Sequence, residues 1–173
     1  MDVLVMAQNL TYGLYVTSVW DEANGRFGGH VIDAVAQLSM GEPPTVVASV
    51  LNTCYTQSLI EKEGVFSLSI LPANVDPFVI ANFGFQCGRD VSKWENVPHT
   101  LREGLPALDE AVAWVKFQVI DKRVMDTHMA FFCNPVAIEA LHPDKEPLRY
   151  ADYFTKLKAP AMAAFQERQA GMK

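Results

Sequence analysis

Val31-Ile32-Asp33-Ala34-Val35-Ala36-Gln37-Leu38-Ser39 alternates in character, and in an extended chain alternate side chains share a face. Ile32, Ala34, Ala36 and Leu38 fall on a narrow apolar face suited to a core. Asp33, Val35, Gln37 and Ser39 fall on the other, which is mostly polar and mostly small. The pattern predicts one strand over 31–39. Its polar face is either the wet side of an antiparallel sheet or a rigid wall of a ligand site. Gly41-Glu42-Pro43-Pro44 ends the strand, because proline cannot donate to a ladder.

Outward from that strand the chain keeps the same habit. Residues 12–20 are rich in aromatic and β-branched types and read as a strand, with Asn24-Gly25 as the turn that follows. Residues 45–51 read as a further strand. After it, Asn52-Thr53-Cys54-Tyr55-Thr56 forms a polar bend, with Thr56 as the cap of a helix over 57–62 and Gly64 as its end. A capped helix start of this kind also favours anions, so Thr56 is either a cap alone or a cap shared with a phosphate. Residues 65–71 alternate, with Phe66, Leu68 and Ile70 inward and Ser67 and Ser69 outward. Asp76-Pro77 opens a helix through 78–85. Residues 96–106 read as an irregular loop, and 111–120, 129–132 and 136–141 as strands, the last two parted by Asn134-Pro135. Residues 3–10 form a short lead-in, and 161–169 a terminal helix. Many strands, few short helices and mostly hairpin links predict a mainly β, antiparallel barrel in a single domain over 1–173, with a helical extension at about 155–173.

The chain has 173 residues and a net charge of −6, so it lacks the basic footprint that nucleic-acid binding needs. No apolar run is long enough to cross a bilayer, and the N-terminus has an acid where a signal peptide would carry cations. Cys54, Cys87 and Cys133 are too few and too scattered for a disulfide framework or a zinc site. A cytoplasmic setting without metal or membrane is the expectation.

Phe83-Gly84-Phe85-Gln86-Cys87-Gly88-Arg89-Asp90-Val91-Ser92-Lys93-Trp94 joins an apolar run to a turn with two cations four residues apart. Gly88 can take the left-handed conformation that closes a helix. Arg89 offers a planar fork of donors, Lys93 a mobile charge, and the turn its backbone N–H groups, a set that suits a phosphate. The alternative is a helix end with cations at its negative pole.

In this order the motifs resemble the flavin reductase-like family, the FMN-binding split barrels, and within it the flavin domain of high-molecular-weight rubredoxins and flavoredoxin. The likeness rests on Tyr12-Gly13-Leu14-Tyr15, Pro43-Pro44, Thr56, Phe83-Gly84-Phe85 and Gly88-Arg89-Asp90 with Lys93-Trp94. It continues through Gly104-Leu105-Pro106 and Thr127-His128 to Glu146-Pro147-Leu148. It implies a Greek-key split barrel, a homodimer, FMN as cofactor, NADH or NADPH as co-substrate, and flavin, iron or a redox protein as acceptor. It implies flavin-ring contacts from Asp33, Ala34, Gln37 and Ser39, and phosphate and ribityl contacts from Asn52, Thr56, Gln57, Gly88, Arg89 and Lys93. His128 is implied beside the flavin or the nicotinamide. The chain departs from the pattern at Ala34 (Ser or Thr in relatives), Asn52 (Lys), Gln57 (His) and Cys133-Asn134-Pro135 (Gly-Glu). No cysteine lies beyond Cys133, so no rubredoxin centre is expected to follow. These departures leave open a flavin carrier without turnover, or a split-barrel scaffold without flavin.

Overall fold

The elements are β1 (Tyr15–Asp21), β2 (Arg26–Gly28), β3 (Val31–Ile32), β4 (Val35–Gln37), β5 (Val46–Leu51), α1 (Tyr55–Glu63), β6 (Val65–Ile70) and α2 (Pro77–Gly84). They continue with β7 (His99–Arg102), β8 (Leu105–Leu108), β9 (Ala113–Val124), β10 (His128–Ala140), α3 (Tyr150–Asp152), a π-helical turn (Tyr153–Leu157) and α4 (Lys158–Gly171). The computed structural model describes Val5, Asn9, Leu10 and residues 12–171, so most of the lead-in at 3–10 lies outside the described residues.

Residues 31–37 hold the architecture together. β3 lies antiparallel to β1, and β4 lies antiparallel to β5. Between those partners the sheet runs β1, β6, β9, β10, β5, every pair antiparallel. One extended segment therefore joins both ends of the sheet, which closes it into a barrel and removes the open edge there. The closure is interrupted at Asp33 and Ala34. The predicted single strand over 31–39 is thus two short strands with a break. The alternation changes phase across it: Ile32 and Val35 face the barrel core, while Ala36 and Leu38, expected inside, are exposed.

The barrel interior is packed with Val19, Val50, Ile60, Phe66, Phe117 and Phe131, each at most 4% exposed. Each Phe or Ile so placed contributes roughly 1.5–3 kcal/mol relative to exposure. α1 plugs this core with Leu59 and Ile60, and Gly64 closes the helix at φ 67°, as its sequence implied. Cys54, not Thr56, occupies the N-cap position, and Thr56 is buried in the first turn.

A second core lies outside the barrel. There α2 and α4 bury Val79, Ile80, Phe83 and Ala161 against Val16 and Trp94. The helix at 161–169 is longer than foreseen and is preceded by helical turns from Tyr150 onward. The expected loop at 96–106 is largely a hairpin, β7–β8, which folds over the outer face of the sheet. That cover explains why Ser67 and Ser69, expected outside, are buried; the Ser69 hydroxyl accepts the Leu108 N–H at 3.0 Å. β10 is continuous through Asn134-Pro135, absorbing the proline with register shifts at Phe132/Cys133 and Pro135/Ala137.

Candidate functional site

Asp76 accepts the Phe78 N–H at 2.9 Å and Pro77 sits in the first turn, so α2 starts as its sequence predicts. It ends earlier than expected. The Phe85 N–H closes on Ala81 O at 2.9 Å, and Gly88 is a buried residue outside the left-handed region rather than the helix terminator. The loop after α2 is organised instead by Asn82, which is wholly buried. Its amide donates to Lys93 O at 2.8 Å, and its carbonyl accepts from Gln86 at 3.1 Å and Asn96 at 3.3 Å. Sequence reasoning missed Asn82 because an amide inside an apolar helix carries no sign of what will face it.

Lys93 is 2% exposed and its ammonium donates to Phe83 O at 2.8 Å. Burial lowers its pKa to about 8, with the Cys54 and Cys87 sulfurs pulling the other way. Arg89, by contrast, is exposed. Its guanidinium lies 5.0 Å over the ring of Tyr55, and Arg26 donates to the carbonyls of Gly88 (2.9 Å) and Arg89 (2.8 Å). The fold therefore brings the Gly88–Lys93 turn against the bend that precedes and opens α1, through Cys54 and Tyr55.

A cleft of ≈ 230 Å³ opens between β3 and the end of α2, lined by His30, Asp33, Gly84, Phe85, Tyr150 and Tyr153 among others. Burial, with the Lys93 charge adding to it, lowers the His30 pKa to about 4, so the imidazole is neutral at pH 7. The phenols of Tyr15 and Tyr150 are raised, first by burial and in part by the Asp33 carboxylate. An acceptor carboxylate, a neutral imidazole and aromatic walls suit a planar heterocycle bearing N–H groups. His30, Tyr150 and Tyr153 were not singled out from sequence, and Phe85 entered only within the Phe83-Gly84-Phe85 motif. A larger hollow of ≈ 270 Å³, lined by Asp76, Phe78, Asn96, Asp109 and Glu110, holds none of the predicted residues and no cation.

Other candidates lie apart. Gln37 pairs with Val46 at one end of β5, whereas Asn52 follows its other end, about 20 Å away along the strand. Gln37 donates to Ser39 O at 3.0 Å, and Ser39 accepts the Thr45 N–H at 2.9 Å, so both organise their own turn. Asn52 donates to Met125 O at 3.1 Å, and Gln57 to Glu61 at 3.1 Å and Met129 Sδ at 3.3 Å. Ala34 O accepts the Ser49 N–H at 2.9 Å at the seam. His128 starts β10 opposite Leu51, half-buried, with Nδ1 2.8 Å from the Thr127 hydroxyl. Among the described residues no group of three or more His, Cys, Asp or Glu side chains is placed to hold a metal, and no helix is long and apolar enough to cross a membrane.

The family model for the flavin reductase like domain matches residues 6–157. A high molecular weight rubredoxin of Moorella thermoacetica is 32% identical over 146 residues, 83% of this chain; the chain spans 62% of that relative's length. Among solved structures, an NADH:FAD oxidoreductase of Streptomyces globisporus superposes with a TM-score of 0.75 at 18% identity, covering 86% of this chain and 85% of its own. The styrene monooxygenase flavin reductase of Pseudomonas putida S12 does so at 0.74 and 23%, covering 88% and 93%. These two likenesses establish the fold. The closed antiparallel barrel and the match over nearly its whole length agree: this chain belongs to the flavin reductase-like domain family.

Proposed function

We propose that this protein is an FMN-dependent oxidoreductase that takes hydride from NADH or NADPH and passes electrons to flavin, iron or a redox protein. The observation that carries the reading is the exposed Arg89 guanidinium on the turn whose Lys93 charge reaches His30, in the wall of a cleft whose lining suits the ring, in a chain of this family. Arg89 would hold the phosphate by charge-assisted bonds, with Gly88 and the Lys93 charge behind it. Lys93 spends one donor on Phe83 O and keeps two. Asp33 would accept from ring N–H groups, and Tyr150, Tyr153 and Phe85 would exclude water. FMN, when bound, supplies the hydride chemistry, while the protein binds, orients and tunes.

His128 is the proposed contact for the incoming nicotinamide. A homodimer is supported by the exposed apolar side chains Leu38, Met40, Ile120, Val124, Val136 and Ile138. A protein acceptor is supported by the likeness to a rubredoxin, and a cytoplasmic setting by three free thiols. A second reading, a flavin carrier without turnover, is favoured by Asn52 and Gln57, whose amide N–H groups donate within the fold. The test is an absorption spectrum of protein purified without added cofactor, followed by anaerobic NADH and then NADPH. A flavin band bleached by either nucleotide is the expected result. A colourless protein that does not quench FMN fluorescence refutes the reading, and an unbleached band leaves the carrier.

A further inference from the structure

Asp21 is fully buried at the end of β1, and a carboxylate so placed is costly unless donors satisfy it. Three do: the Tyr55 hydroxyl at 2.9 Å, the Asn24 amide at 2.7 Å and the Asn24 backbone N–H at 3.3 Å. The Asn24 amide also lies 3.1 Å from the Tyr55 hydroxyl, so both ends of the tyrosine ring are fixed, one by the start of α1 and the other by Asp21. Over that ring sits the Arg89 guanidinium. Directly across the ladder from Asp21 is Arg26, and it grips the carbonyls of Gly88 and Arg89. In a trans peptide the N–H points opposite to the preceding carbonyl. Turning the Gly88 carbonyl toward Arg26 therefore turns the Arg89 N–H away from it.

One β-hairpin thus fixes both the backbone and the side chain of the same arginine. We propose that the β1–β2 hairpin, through Asp21–Tyr55 and Arg26, is a positioning element that makes this site select the phosphorylated flavin over the unphosphorylated one. This inference rests on the placement of the flavin phosphate at Arg89. Tyr55 and Arg26 touch Arg89, and neither lines the cleft assigned to the ring, so in this reading their removal acts on the phosphate contact.

The test uses the full chain and its Tyr55→Leu, Tyr55→Phe and Arg26→Gln variants. Dissociation constants for FMN and for riboflavin are read by fluorescence quenching, beside each variant's thermal midpoint. In the unmodified chain FMN binds more tightly than riboflavin. Tyr55→Leu, which removes the ring under Arg89, lowers that preference by roughly 2- to 5-fold with riboflavin affinity unchanged. Tyr55→Phe, which keeps the ring and cuts only its tether, and Arg26→Gln move the preference the same way by less. Tyr55→Phe decides the matter if the leucine variant does not fold. A preference for FMN that survives all folded variants, whatever their thermal midpoints, overturns the brace and leaves the flavin reading standing. An unmodified chain that binds neither flavin overturns both.

Discussion

Acidification should destabilise this protein through one imidazole. His30 sits between the cleft and Lys93, its ring near Phe83 O, and burial holds its pKa at about 4 against the ordinary 6.5. A base with a depressed folded pKa is neutral in the native chain while the unfolded chain takes up a proton. Stability from this source is therefore constant above about 6.5, falls with pH between about 6.5 and 4, and levels below that. At about 1.4 kcal/mol per pH unit, the gap caps the loss at about 3 kcal/mol. The comparison is wild type against His30→Gln, each unfolded in urea at pH 7.0, 5.5 and 4.5, so that carboxylates common to both cancel. The free energy of wild type should fall by about 2–3 kcal/mol more than that of His30→Gln between the extremes, at unchanged m-value. Parallel curves for the two proteins would refute the placement of a neutral, half-buried imidazole beside a cation.

Further outcomes bear on the site and its frame. Arg89→Ala should weaken FMN binding by about 1.5–3 kcal/mol and leave riboflavin binding unchanged in the same fluorescence titration. Raising the pH through about 8 removes the Lys93 proton in the free chain, so FMN affinity should fall above that pH. The decline is at most about tenfold per pH unit, and Lys93→Met should lose that part of the slope. Gly29→Ala should destabilise by about 1–3 kcal/mol or more in urea denaturation. A Cβ there would meet Thr17 O at 2.7 Å, the Phe83 ring at 2.8 Å and Trp94 Nε1 at 2.9 Å, where the Trp94–Gly28 hydrogen bond of 3.0 Å ties the loop to β2.

Local chemistry alone carried much of this structure. The Asp76-Pro77 helix start, the Gly64 helix end and the apolar alternation at Phe66 and Leu68 each depend on neighbours a few residues away, and each is as the chain itself dictates. So is the mainly antiparallel class, because short β-rich runs between turn residues leave little else. The order of motifs also pointed to the right family.

What sequence could not supply was the partner of each face. Ser67 and Ser69 look like solvent-facing residues until the β7–β8 hairpin, forty residues on, covers them. Residues 31–39 look like one strand until both ends of the sheet claim them, which breaks the run at Asp33 and exposes Leu38. Lys93 looks like a free cation until Phe83 O and Asn82 enclose it, while His30 and the tyrosines at 150 and 153 meet only across the closed barrel and its helical flank. Helix capping and turn geometry are short-ranged along the chain and can be read from it. Desolvation, charge proximity and cleft shape depend on segments distant in sequence, so the tertiary structure alone decided which polar groups line the cleft and which are spent within the fold.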